Sequence, residues 1–441
     1  MMLLRLILTI TLTTLPACRA VQAPMGLAHT GSHTDPTTGT ADNEVASDAN
    51  ASIWPSRWGD NTESRGVIID LDPAVNLRAV HYSRYHQGRS TPQDYEDAAQ
   101  LASGLGIESG FKFKVEGPGS FVFVEPLNND EPRRDPPDLA FKYVSAREAA
   151  PDGAAVDEDQ DHVAIERTWF TFKNPRPDRE TLGTIVLIPG MFGTPEPIVE
   201  ACERYWHNKG YAVLRMLSHP SRFTQHLSMP YLDGHDDKVA KRIASSADQR
   251  IAECAYATRA AIDHAFLQND TLNDRPVVLV GMSGGAMALP SVYAYDPDRY
   301  DAAVLIAGGA NFMRIMIESN YRDWIDAITI DFDPLSDDLG DPAPELIDTL
   351  CDRYLERSKL DAYHTAPLMA NTPVLILHAN NDKAVPAETG ELLYERLGRP
   401  ERWTYPLGHE LIFAGLPLQV PKIDRWLTEQ LADVGQPTLS D

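Results

Sequence analysis

A doubly wound, mostly parallel α/β sheet, with a helical insertion and a β-rich segment in front of it, is the fold this chain predicts. Three observations point there. From Thr181 onward short apolar runs recur: "TIVLIPG", "YAVLRM", "PVVLVGM", "AAVLIAGG", "TPVLILHA" and "ERWTYPLG". Near-continuous Val, Ile and Leu, which most of these runs show, marks strands buried on both faces. Between the first three runs lie "PIVEACERYWHNKG" and "KVAKRIASSADQRIAECAYATRAAIDHAF", whose apolar residues return every three to four positions as on a helix. At 441 residues, 43% hydrophobic and 23% charged, the chain can build one large α/β domain plus accessory segments.

The net charge of −25 argues against nucleic acid and anionic lipid head groups as partners, since both demand clustered Lys and Arg. A neutral or cationic substrate suits it better. At the N-terminus Arg5 precedes the apolar stretch "LILTITLTTL" (Leu6 to Leu15), and "LPAC" (Leu15 to Cys18) follows, which is the order of an export signal. "LPAC" resembles a bacterial lipobox, and the resemblance implies cleavage before Cys18 with lipid added to its thiol. Simple secretion after Ala23 is the alternative, with Pro24 poorly placed behind the cut, and an uncleaved anchor is a third. Residues 1–18 are thus expected as a signal peptide with lipobox and 19–64 as a flexible tether, because Thr, Ala, Asp, Gly and Ser dominate there and bury too little to offset ordering entropy. The expected location is the cell envelope, lipid-anchored at Cys18 on the periplasmic or outer surface, or else outside the cell.

Residues 65–180 read as the β-rich segment. "GVIIDL" (Gly66 to Leu71) is a strand, "FKFKVEGPGSFVFVEP" (Phe111 to Pro126) alternates on both sides of a Gly-Pro-Gly turn as a hairpin does, and "VAIERTWFTFKNP" (Val163 to Pro175) alternates again. The acidic, Pro-containing stretches "NNDEPRRDPPD" and "AAPDGAAVDEDQD" read as loops. Apart from Cys18, the cysteines are Cys202, Cys254 and Cys351. Their odd number and wide spacing give neither a disulfide framework nor a metal pattern, so buried thiols are expected.

The main domain spans 181–432, with an insertion at about 311–367 and a tail at 433–441. In it the strand "VVLVG" runs directly into Gly281-Met282-Ser283-Gly284-Gly285 and then "GGAMALPSVYAY", which can start a helix. G-x-S-x-G between strand and helix is the setting a nucleophile elbow requires. Two later strand ends carry the other necessary groups: "TPVLILHANNDKAVP" presents Asp382 and "RWTYPLGHE" presents His409. With Ser, Asp and His in that order at strand ends, the stretch from Val163 to Leu431 resembles the α/β-hydrolase family.

The resemblance implies a serine hydrolase that cleaves carboxylic esters through an acyl-enzyme, with no cofactor. Ser283 is the expected nucleophile, His409 the base that takes its proton, and Asp382 the group that fixes the imidazole. The oxyanion needs two preorganised donors. One is expected from the backbone N–H of Gly284, the other, by resemblance, from Met191, with Phe192 as the alternative. Pro189-Gly190 departs from the His-Gly of many family members, but the donor is main chain. Asp361 in "LDAYHTAP" competes with Asp382, while His364 and His378 lack a comparable position. His219, His226 and His235 lack the i, i+4 spacing of a helical zinc pair, so Ser218 to Asp237 reads as a substrate-flanking loop, and "DFDPLSDDLGD" lacks the arrangement of a calcium loop and reads as a solvated surface loop.

Within the insertion, "NFMRIMIESNYRDWIDAI" and "PELIDTLCDRYLERSKL" have helical periodicity, and family insertions here commonly form a cap. Met313, Met316, Ile317, Tyr321 and Trp324 then offer an apolar acyl-side surface, or simply pack the helix down. The substrate is a small-molecule or polymeric ester. Peptide, lactone or thioester cleavage on the same triad, and a non-catalytic envelope-binding lipoprotein, are the alternatives.

Overall fold

The computed structural model describes Trp54 and most of residues 66–432. Residues 1–53, 55–65, 75–76, 83–95, 98, 102, 104–111, 114–120, 127–134, 149–161, 192–193, 220–226, 233, 322–327, 333–342 and 433–441 lie outside the description. The expected signal peptide, the lipid site at Cys18, nearly all of the tether, the tail, Phe192, His226, Trp324 and most of the acidic loop from Asp331 to Asp341 therefore fall outside the described residues.

The strands are β1 (Gly66–Leu71), β2 (Leu77–Tyr82), β3 (Lys112–Phe113), β4 (Phe121–Pro126), β5 (Leu139–Glu148), β6 (His162–Lys173), β7 (Gly183–Ile188), β8 (Tyr211–Met216), β9 (Leu227–Pro230), β10 (Val277–Met282), β11 (Ala302–Ile306), β12 (Ile328–Asp331), β13 (Val374–Ala379) and β14 (Glu401–Tyr405). The main sheet has the order β1-β5-β6-β8-β7-β10-β11-β13-β14, with β3 joined to β6 off this path. From β8 to β14 every pairing is parallel, while β1, β5 and β6 extend the sheet by antiparallel pairing. The six apolar runs of the sequence are these six parallel strands.

Helices cover both faces, and side-chain alternation assigns each residue to one of them. On β7, Ile185 and Leu187 join a core with Val199, Cys202 and Trp206 of α1 (Glu196–Lys209) and with Val420, Ile423 and Leu427 of the C-terminal helix Leu416–Gln430. Val186 and Ile188 join the opposite core with α2 (Asp236–Gln268) and α3 (Gly284–Tyr295). Each fully buried Val, Leu or Ile stabilises such a core by about 1.5–3 kcal/mol, which is why the five parallel strands inside the edge strand β14 are buried throughout.

The β-rich segment departs from expectation in its pairing. Among the described residues of Phe111 to Pro126 the expected hairpin pairing is replaced: β4 pairs antiparallel along its whole length with β2, Tyr82 opposite Phe121, whereas β3 lies parallel to β6. Alternation identifies a strand with one preferred face but not its partner, and "LRAVHY" of β2 interleaves Arg and His with its apolar residues. Equally unread was β5, which sits between β1 and β6. Its Lys142 is buried in mid-strand because Asp97, itself fully buried, accepts from the ammonium at 2.6 Å and also pairs with Arg167 at 2.5 Å.

The insertion also differs. Asn311 to Ile328 was expected as one helix, yet α4 (Phe312–Glu318) stops at Ser319, whose ψ of 134° leaves the helical region. Ile328 instead opens β12, which pairs in parallel with β9. Ile328 and Ile330 are buried while Thr329 and Asp331 are half-buried, a period of two that the longer helical pattern masked. Met313, Met316 and Ile317 lie in the core shared with α2, so their apolar surface packs the helix. α5 (Pro344–Arg357) puts Leu350, Cys351 and Tyr354 into the same core. Cys202, Cys254 and Cys351 are free and buried, and burial pushes the Cys202 and Cys351 thiols up to about 12.

Candidate active site

After β7 the chain moves outward to β8 and then returns to β10 on the other side of β7. At such a reversal the loops leaving neighbouring parallel strands part, and the carboxyl ends of β7 and β10 border the crevice where open α/β sheets place their sites. The residues leaving β7 are Pro189, Gly190 and Met191; the residue leaving β10 is Ser283.

Ser283 has φ 50° and ψ −115°, a conformation that non-glycine residues adopt at a cost of about 1–3 kcal/mol. Its N–H donates to the Ile306 carbonyl at 2.8 Å, and α3 begins at the next residue, so the hydroxyl is held at the top of the sheet. The flanking glycines are there for space. A Cβ on Gly281 would lie 2.8 Å from the Ala286 backbone where α3 folds back under β10, and one on Gly285 would lie 2.4 Å from the Ile188 carbonyl oxygen and 2.5 Å from that of Pro189. Gly285→Ala therefore pushes the β7 loop away from the elbow. The expected result is a loss of about 1–3 kcal/mol in stability with a fall in kcat, checked by denaturant unfolding and steady-state kinetics on the same preparation.

His409 brings the three predicted groups into one line. It opens α6 (Ala387–Arg396)'s successor α7 (His409–Ala414), just beyond β14. Its Nε2 is 2.9 Å from Ser283 Oγ and its Nδ1 is 2.7 Å from Asp382 Oδ2. The other oxygen of Asp382 accepts the backbone N–H groups of Ala384 and Val385, both at 2.9 Å, which fixes the carboxylate plane. Asp382 and His409 are buried and Ser283 half-buried, so the line opens to solvent at its serine end. Such an arrangement can move the serine proton onto Nε2 while the carboxylate steadies the resulting imidazolium.

The rival residues are occupied elsewhere. Asp361 accepts the N–H groups of Asn311, Phe312 and Tyr363 at 2.9, 2.7 and 2.8 Å, and the Tyr354 hydroxyl at 2.9 Å. It organises the start of α4. His364 donates from Nε2 to the Leu355 carbonyl at 2.7 Å, and the His378 ring packs on α6, where a Cβ on Gly390 would lie 2.8 Å from it. Among the described residues no cluster of three or more His, Cys, Asp or Glu is placed to hold a metal.

Both expected oxyanion donors flank the elbow. A Cβ on Gly284 would sit 2.8 Å from the Met191 backbone nitrogen, so the Met191 amide lies directly against the residue that follows Ser283. Two aromatic rings also border the imidazole. The Tyr321 ring meets His409 edge-on at 5.9 Å and Phe413 meets it at 5.1 Å, while the Tyr321 hydroxyl donates to Glu410. Tyr321 therefore sits at the imidazole, and Asn320 ties the insertion to the acid loop by donating to the Lys383 carbonyl at 2.8 Å.

His219, which follows β8, is buried against the β7 loop: its Nε2 donates to the Pro189 carbonyl at 2.7 Å and its Nδ1 faces the Cys254 thiol at 3.4 Å. Burial pulls its pKa down to about 4. The unfolded chain takes up that proton near pH 6.5, so this residue's contribution to stability is complete above about 6.5 and is lost as the pH falls toward 4. Wild type should lose stability more steeply than His219→Gln across that window, by up to about 1.4 kcal/mol per pH unit, as measured by denaturant unfolding at stepped pH.

Fold and site together define the class: the chain has an α/β-hydrolase fold with Ser283, His409 and Asp382 aligned beyond its strand ends. Within that class, the model of the prolyl oligopeptidase family matches residues 248–407, less than half of the chain, including Ser283 and Asp382 and ending just before His409. Among solved structures, Est1E from Butyrivibrio proteoclasticus is 14% identical, with 61% of this chain and 96% of that one covered and a TM-score of 0.38. The acylaminoacyl peptidase of Pyrococcus horikoshii is 13% identical over 74% of this chain and 49% of its own, TM-score 0.40. A cold-adapted esterase from an Arctic intertidal metagenomic library is 15% identical over 66% and 94%, TM-score 0.36. No curated protein matches the chain in sequence.

Proposed function

We propose that the chain hydrolyses carboxylic esters through an acyl-enzyme on Ser283. The observation that carries this is the unbroken line from Ser283 Oγ through His409 to Asp382, set beside two main-chain amides. His409 Nε2 takes the hydroxyl proton as Oγ attacks the carbonyl carbon, and the oxyanion is held by the N–H groups of Gly284 and Met191. Collapse expels the alcohol, which leaves with the proton from Nε2. Water then repeats the sequence on the acyl-enzyme, returning the acid and Ser283. Each oxyanion donor is worth about 2.7–4 kcal/mol in such a site.

Amide cleavage on the same groups is the second reading, favoured by the match to the prolyl oligopeptidase family model. The two separate in one assay. Esters and amides of the same acyl group, with the same aryl leaving group, should show kcat/KM far higher for the ester; equal values would favour a peptidase. We further propose export with lipid on Cys18, supported by the "LPAC" sequence after the apolar stretch. Incorporation of labelled fatty acid should occur in the wild type and vanish in Cys18→Ser, and its absence from both would leave simple secretion.

A further inference from the structure

We infer that His219 is a positioning residue for the oxyanion hole: backed by the Cys254 thiol, it locks the Pro189–Gly190 peptide and so aims the N–H of Met191. This rests on the reading of Ser283 and Met191 just given.

The Pro189 carbonyl and the Gly190 N–H belong to one planar unit and point in opposite directions. Both ends are held. The carbonyl accepts from His219 Nε2 at 2.7 Å, and the N–H donates to Thr194 Oγ1 at 3.2 Å. The next amide along is Met191, reached through Gly190, which on its own resists rotation less than any other residue. With the preceding plane pinned at both ends, the only slack left before Met191 is within Gly190 itself, and Met191 is held against Gly284.

The pin also has a defined protonation state. A carbonyl only accepts, so Nε2 carries the hydrogen and Nδ1 presents a lone pair. The Cys254 thiol stands 3.4 Å from it, and burial drives its pKa up, so it stays a donor and selects that tautomer. Thr194 completes the clamp: its hydroxyl, which accepts from Gly190, approaches Met282 Sδ at 3.5 Å, next to Ser283. Thr194 thus ties the loop to the nucleophile strand, while His219 ties it to Cys254 on α2. Neither His219 nor Thr194 touches the reacting atoms.

The test reads kcat, KM and the affinity for an arylboronic acid, whose tetrahedral adduct with Ser283 uses the same donors. His219→Phe keeps a buried ring but removes the N–H. It should lower kcat by about 10²-fold, with KM within about twofold and boronate affinity falling in step with kcat. His219→Gln, which can reach the same carbonyl with its amide, should recover most of that loss. Thr194→Val, equal in volume and at the other end of the plane, should show the same split, with Thr194→Ser restoring it; this pair decides the matter if His219→Phe does not fold. Wild-type kcat and boronate affinity in folded His219→Phe and Thr194→Val would overturn the inference, provided Ser283→Ala is inactive. Activity surviving in Ser283→Ala would instead overturn the reading of the nucleophile.

Discussion

Ser283→Ala is expected to lower kcat for ester hydrolysis by about 10⁴-fold or more while leaving the unfolding midpoint near that of the wild type. The two outcomes have separate causes. Oγ supplies the attacking electron pair, and the donors that remain can only assist water. The strain at this position, φ 50° and ψ −115°, arises from the Cβ and backbone, both of which alanine keeps. His409 loses its 2.9 Å partner but retains Asp382 at 2.7 Å. A variant that lost activity together with its folded signal would say nothing about chemistry, so kinetics and denaturant unfolding are to be read on one preparation.

Asp382→Asn should cost about 10⁴-fold in kcat, although it exchanges only one atom. The carboxylate is used at both ends: Oδ1 accepts from Ala384 and Val385, and Oδ2 faces His409 Nδ1. An asparagine will keep its oxygen on the two backbone amides, because its NH₂ cannot accept from them. Its NH₂ is then presented to Nδ1, which must offer a lone pair, and the ring hydrogen moves to Nε2. In that tautomer Nε2 cannot take the serine proton. Asp361→Asn is the control. Its carboxylate is engaged by three backbone amides and the Tyr354 hydroxyl, so that variant should lose stability by the cost of unmade buried hydrogen bonds, about 1–3 kcal/mol, with kcat little changed.

What the sequence disclosed follows from how each feature is encoded. The parallel strands were legible because burial on both faces removes polar residues from them, as in "VVLVGM". Ser283, Asp382 and His409 were legible because each follows the end of a parallel strand, and chain order then supplies the rest. Where burial is bought with charge, the pattern fails: β5 hides behind Lys142, whose partner Asp97 is 45 residues away. Partner choice was also illegible, since nothing in "FVFVEP" says that β2 rather than β3 will lie beside it. For His219 the sequence offers no more than a place in a loop flanking the substrate. Its position just after β8 was the available signal, for that is where this fold gathers functional groups, yet its target is a backbone carbonyl, which sequence does not mark.

The most direct test of the account is covalent labelling of the purified protein with a fluorophosphonate, followed by mass spectrometry of the modified peptide. The hydroxyl oxygen attacks phosphorus, fluoride departs and His409 takes the proton, so the reagent reports an activated serine whatever the natural ester is. A single adduct on Ser283, absent in His409→Ala, is the predicted result. Labelling at another serine, or none in protein shown to be folded and open to the reagent, would contradict the assignment of Ser283 as the nucleophile.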